Sequence, residues 1–138
     1  LDLTFEKTYS VLESYRDNIS IIELWDNGIV YFKIDDNIQI ELEDSTAHFN
    51  YLKSKYDGKT KFIVLVETGR DTSISKEARE HAADPGRNEM TLACAVMVKS
   101  LAHRLVINFI INFTKQQTTK MRMFDNKQKA IDWLLSFK

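Results

Sequence analysis

Two kinds of apolar pattern divide the chain. From Ile19 to Trp25 (ISIIELW) and from Ile29 to Ile34 (IVYFKI), β-branched and aromatic residues crowd together, with Asp26, Asn27 and Gly28 between them. Asn-Gly supplies the positive φ angles of a tight turn, so this stretch predicts an antiparallel hairpin. Ile38 to Leu42 alternates apolar and polar and predicts a further extended piece. Upstream, Tyr9, Val11 and Tyr15 alternate as on a strand, while Val11, Leu12 and Tyr15 also fit a helical turn; we read a strand from Tyr9.

Beyond this the pattern becomes helical faces alternating with unbroken apolar runs. Asp44 or Ser45 can cap a helix to about Tyr56, with Phe49, Leu52 and Tyr56 on one face and Gly58 to end it. Lys61–Glu67 (KFIVLVE) and Leu92–Val98 (LACAVMV) lack alternation and predict central strands buried on both faces. Between them, Thr68–Ser75 is a polar loop. Ser75 caps a helix from Lys76 to about Ala83, which Pro85 and Gly86 stop. Residues 100–114 form the next helix, Met121–Phe124 a short strand. Asp125, with Gln128 three residues on, caps a last helix whose apolar face is Ala130, Trp133, Leu134 and Phe137. Helices alternating with buried strands imply parallel neighbours. The expectation is an α/β fold: a mixed sheet of about five strands, opened by a hairpin and covered by about four helices.

Composition narrows the class. A chain of 138 residues with 43% apolar and 28% charged residues, 4 Gly and 1 Pro is that of one ordinary globular domain, residues 1–17 forming an N-terminal extension. The single cysteine, Cys94, lies in an apolar run and reads as a small core residue. No stretch has the build of a signal peptide and no apolar run reaches the ~20 residues of a membrane span, so a cytoplasmic location is expected. Residues 1–58 carry 12 acidic and 5 basic side chains, residues 59–138 carry 8 and 14. Such halves suit self-association through complementary patches, or scatter as solvated charge. Lys115, Lys120, Arg122, Lys127 and Lys129 are offset by Asp125 and Asp132 and read as a solvated face, without the surplus or motif of a nucleic-acid binder.

The strings WDNGIVYFKI, KFIVLVETG followed by SISKEAREHA, LACAVMVKSLAHRLVINFIINF and MRMFDNKQKAIDWL resemble the SpoIIAA-like group of STAS domains, small bacterial α/β proteins. The resemblance spans roughly residues 19–138. It implies that fold and suggests regulation by protein–protein contact. In anti-anti-sigma members a serine at the start of the helix after a central strand is phosphorylated and switches partner binding. Their Asp-Ser-Ser-Gly run is absent; Gly69-Arg70-Asp71-Thr72-Ser73-Ile74-Ser75 stands in its place.

Two segments carry candidate sites. The Thr68–Ser75 loop enters a helix N-terminus, where backbone N–H groups favour an anion. Ser73, Ser75, Arg70 and Arg79 are the residues of an anion-binding or phospho-switch site there; plain capping by Ser75 is the competing reading. Helix 100–114 is apolar almost all round through Leu101, Leu105, Val106, Ile107, Phe109, Ile110, Ile111 and Phe113. Either it is buried on several sides or it exposes a dimer interface or ligand groove, with Arg104, Leu105, Asn108, Phe109 and Phe113 as the candidates. Arg104, amid apolar neighbours, needs a partner such as Glu67 or an anionic ligand. His48, His81 and His103 have no zinc spacing, and no phosphate loop, nucleophile elbow or carboxylate pair is recognisable. No metal, cofactor or catalytic residue is assigned. The chain reads as a non-catalytic regulatory or protein-interaction module, with a protein partner or homodimer. The alternative is a carrier or sensor of a small apolar or lipid-like ligand.

Overall fold

The computed structural model describes residues 9–114 and 119–138, with backbone alone at 113 and 114. The elements run β1 (Val11–Arg16), β2 (Ser20–Trp25), β3 (Ile29–Ile34), β4 (Gln39–Ile40), α1 (Leu42–Lys55), β5 (Phe62–Glu67), β6 (Ser73–Ile74), α2 (Lys76–Ala83), β7 (Thr91–Met97), α3 (Leu101–Thr114), β8 (Lys120–Phe124) and α4 (Lys127–Leu135). A six-stranded sheet has the order β1-β2-β3-β5-β7-β8. Its first three strands are antiparallel, and β3, β5, β7 and β8 are parallel neighbours. The α/β fold with a mixed sheet and four helices is as the patterning predicts.

Four local features differ from the sequence reading. The hairpin turn has one positive φ, not two: Gly28 stands at 92°, and its N–H donates to Trp25 O at 3.0 Å. The loop is thus three residues long and closes on a single left-handed glycine. Helix α1 starts at Leu42, and Asp44 serves from its third position, Oδ2 accepting the Glu41 N–H at 2.8 Å. Ser45 is buried and its Oγ is engaged with His81 Nδ1 at 2.7 Å, so it is not free to cap. Asn126, not Asp125, caps α4, accepting the Lys129 N–H at 2.9 Å. The piece at Ile38–Leu42 leaves the main sheet: β4 pairs in parallel with β6, inside the segment read as a loop. Gly69 lets the 68–75 segment pass close to the end of β3, since a Cβ there would collide with the backbone of Asp35 and Asp36.

Strand alternation sorts the core into two clusters. Val30, Phe32, Ile34, Val64, Cys94 and Val96 face α1, α2 and α3. Ile29, Tyr31, Ile63, Leu65, Ala93 and Ala95 face α4, meeting Ala130, Ile131 and Leu134. Helix α4 lies directly on β5, β7 and β8, whereas α3 packs on α2 and β8. The small side chains of Ala93, Ala95 and Ala130 let α4 approach closely. On the opposite face Phe32, Val64 and Val96 hold the helices further out.

Candidate functional site

The looser packing leaves a cavity of about 260 Å³ between the sheet and α1, α2 and α3. Phe32, Val64, Val66 and Val96 form its floor, Leu52 a side wall, and Val106, Ile107 and Ile110 its roof. The roof follows from helical spacing: Ile110 is buried, and His103, Val106 and Ile107 share its face of α3.

Polar groups stand at two places on the wall. At one, every hydroxyl is engaged: Thr68 Oγ1 donates to Met97 O at 2.8 Å and Thr72 Oγ1 to Asp35 O at 2.9 Å. His103 Nε2 donates to Thr72 O at 2.6 Å, pinning the first turn of α3 to the 68–75 segment. At the other stand Arg87, Asn88, Thr91 and Cys94. Arg87 Nε and Thr91 Oγ1 are buried with no hydrogen-bond partner among the described residues. Burial lowers the Arg87 pKa. It pushes the Cys94 thiol up to about 11, which keeps that sulfur protonated and inert.

The sequence candidates fall around this cavity in different ways. Ser75 is the cap of α2, its Oγ accepting the Ala78 N–H at 3.1 Å. Ser73 is exposed and its Oγ donates to Gln39 Oε1 at 3.3 Å. Arg70 is exposed and pairs with Asp36 at 3.3 Å. Arg79 lies over the Phe109 ring, 5.8 Å from its centroid. The four do not converge on one point among these contacts. On α3, Leu101, Leu105 and Phe109 are 72%, 63% and 42% exposed and form an i, i+4, i+8 stripe on the outside. Asn108 is exposed beside them; the Phe113 side chain lies outside the described residues. The helix thus roofs the cavity with one face and leaves another partly exposed among the described residues.

Arg104 does not reach Glu67. It is exposed and borders a shallow concavity with Arg122, Asp125, Lys129 and Asp132. Glu67 instead accepts from Tyr31 Oη at 2.7 Å and Lys33 Nζ at 3.1 Å, with Lys99 and Lys127 at 3.7 Å. Burial disfavours its charge, but the hydrogen bonds from Tyr31 and Lys33 win and hold its pKa down.

Ser20, His48 and Asp17 meet between the start of β2 and α1, a grouping the sequence does not disclose. His48 Nε2 lies 3.0 Å from Asp17 Oδ2 and 2.9 Å from Ser20 Oγ, and Ser20 Oγ donates to Asp17 Oδ1 at 2.8 Å. A catalytic triad places serine and carboxylate on opposite ring nitrogens. Here both sit on one, and Ser20 is fully buried. The group is a structural clasp between β2 and α1. Burial works against the Asp17 charge, yet the bonds from His48, the Ile19 N–H and Ser20 outweigh it and hold the carboxyl well below its usual range.

The profile of a family described as Domain of unknown function (DUF7793) matches residues 22–138. The chain belongs to that family. Among solved structures it is similar to an uncharacterised protein of the DUF3478 family, with a SpoIIAA-like fold, from Shewanella loihica PV-4. Identity is 16%, the match covers 95% of this chain and 98% of the other, and the TM-score is 0.57. At that identity the likeness establishes a SpoIIAA-like fold and nothing of activity. No curated protein matches the chain. Among the described residues of this DUF7793 chain no three His, Cys, Asp or Glu side chains gather as metal ligands. No helix among them is long and apolar enough to cross a membrane.

Sequence reasoning reached α3 but not Arg87, Thr91 or His48. Arg87 sits in a turn, where an arginine is ordinarily solvated. Its local signal, Pro85-Gly86 followed by Arg-Asn, says only that the helix has ended.

Proposed function

We propose that the chain is a cytoplasmic, non-catalytic regulatory module that holds a small apolar or lipid-like molecule in the cavity beneath α3. The space itself carries this reading: about 260 Å³ with walls of Phe32, Val64, Val96, Val106, Ile107 and Ile110. Water finds few partners against such walls, and an apolar occupant gains roughly 25 cal/mol for each Å² it removes from water. A ligand there touches the inner face of the helix whose outer face is exposed, which gives occupancy a route to a surface. The neutral dye N-phenyl-1-naphthylamine should bind with a rise in emission at one saturable site. Val106→Phe, which fills the space, should lose that site while its Tm stays level or rises. Absence of a saturable site in the wild type sinks the reading.

A second reading rests on the exposed stripe of Leu101, Leu105 and Phe109. It serves as a contact surface for a protein partner or a second copy of the chain. Sedimentation of the wild type against Leu105→Ser tests the homodimer: a dimer that the substitution leaves intact removes the stripe from its interface.

A further inference from the structure

We infer that the molecule held in the cavity is an amphipathic anion, a medium-chain carboxylate in its simplest form, whose charged end meets Arg87 and Thr91. This rests on the apolar-ligand reading above and names the chemistry of the ligand's polar end.

The guanidinium is the starting point. Arg87 belongs to the turn after α2, and that turn is held on every side. Asn88 N–H donates to Asp84 O, and Asn88 Nδ2 donates to Ala82 O at 2.8 Å. The one proton of Thr119 Oγ1 is shared between Asn88 O at 2.9 Å and Thr91 O at 2.7 Å. The backbone around Arg87 is thereby fixed, and its side chain lines the cavity. No carboxylate pairs with it among the described residues. The nearest acid before it, Asp84, is exposed and accepts the Gly86 N–H at 2.7 Å. The titratable groups close enough to feel Arg87 are Cys94 and His81, and neither supplies an anion at neutral pH. Burial also draws the Arg87 pKa down, the direction expected for a cation without a counter-ion.

A guanidinium stays protonated in proteins, and an unpaired buried charge is costly. Natural interiors answer that cost with a partner. The Thr91 hydroxyl repeats the pattern: it is buried, it lines the same cavity, and it too lacks a partner among the described residues. Thr68, Thr72 and His103, elsewhere on the wall, already have theirs. Among the described residues on the wall, the unmet demand is that of Arg87 Nε and Thr91 Oγ1, and it is a demand for an acceptor. A carboxylate answers both groups, taking the guanidinium N–H groups and the hydroxyl together.

The rest of the wall sets the other half of the ligand. Apart from this part and from polar groups already hydrogen-bonded, such as Thr68, Thr72, His103 and His48, the wall is mostly Val, Ile, Leu and Phe, which bind an alkyl chain. A volume of about 260 Å³ lies just below the ~300–1,000 Å³ range of drug-sized pockets. An alkyl chain of medium length fits that space, whereas a phospholipid with its two long chains does not.

Titration calorimetry with octanoate and with 1-octanol, at neutral pH, tests the assignment. Wild type should bind octanoate at least about tenfold more tightly than 1-octanol. Arg87→Met, which keeps length and removes charge, should erase that preference while leaving 1-octanol affinity and Tm undiminished. Arg87→Lys should retain part of it. Equal binding of octanoate and 1-octanol by wild type overturns the anion assignment alone. So does an Arg87→Met protein that still prefers octanoate. Binding of neither probe overturns both the assignment and the apolar-ligand reading beneath it.

Discussion

The two faces of the sheet are built from the same strands and packed in opposite ways. On the α4 side, Ile29, Leu65, Ala93, Ala95, Ala130 and Leu134 are completely buried, and the helix rests directly on three strands. On the other side, three helices arch over a cavity, and buried polar groups collect at its edge: His48, Thr68, Thr72, Asn88 and Thr91. One face is spent on stability. The other gives up packing, and the sacrifice is concentrated around a space that another molecule can fill. Function is to be sought where the close packing ordinary for a protein interior has been relinquished.

The comparison breaks most directly at Leu134. Leu134→Ala on the closed face should cost ~2–5 kcal/mol, because the surroundings cannot collapse into the void. Ile107→Ala in the cavity roof should cost less than ~2 kcal/mol, since one side of Ile107 already lacks neighbours. Urea denaturation of both decides it, and equal losses would mean that the two faces are equally packed.

A smaller effect comes from the clasp of Asp17, Ser20 and His48. Asp17→Asn should cost ~1–3 kcal/mol by leaving buried donors poorly matched. The pH dependence carries the sharper test. The folded carboxyl is held below its unfolded value near 3.8, so it binds a proton less readily than in the unfolded chain. Its stabilisation is therefore complete above that value and fades as pH falls through it. Between about pH 5 and pH 2 the wild-type Tm should fall more steeply than that of Asp17→Asn. Parallel curves would show that Asp17 gains nothing from its partners.

The smallest change in stability is expected on the outer stripe. Leu105→Ser lies on an uncovered surface and should stay within about 0.5 kcal/mol of wild type. A loss several times larger would place α3's outer face against something in solution.

Much of the fold is legible along the chain. Asn27-Gly28 marks the hairpin, KFIVLVE and LACAVMV mark the central parallel strands, and Ser75 marks the start of α2. These signals are local, set by backbone sterics, side-chain period and capping chemistry. The misplaced caps at Asp44 and Asp125 are off by a few residues, because several oxygens near each helix start can accept the same N–H groups. The pairing of β4 with β6 was hidden, since two residues on each side carry no period.

The candidate site was legible only in half. The excess hydrophobicity of residues 101–113 announced that α3 had two apolar faces, but not which way each turned. Arg104 looked like the cation in need of a partner because its neighbours in sequence are apolar; in space it is exposed. Arg87 drew no reading at all, standing in a turn just after Pro85-Gly86; in space it lines the cavity, and its Nε finds no acceptor among the described residues. Sequence neighbours report the local period, whereas charge pairing depends on side chains distant along the chain.

By itself, the sequence determined the α/β class, the hairpin start, the parallel centre and the family resemblance. Each of these is dictated by short-range pattern. Only the tertiary structure decided that the two sheet faces differ, that α3 roofs a cavity, and that Arg87 Nε and Thr91 Oγ1 stand there without a hydrogen-bond partner among the described residues. The physical reason is that space and unpaired polarity are properties of what surrounds a residue from every side, and a chain read in order supplies only two of those sides.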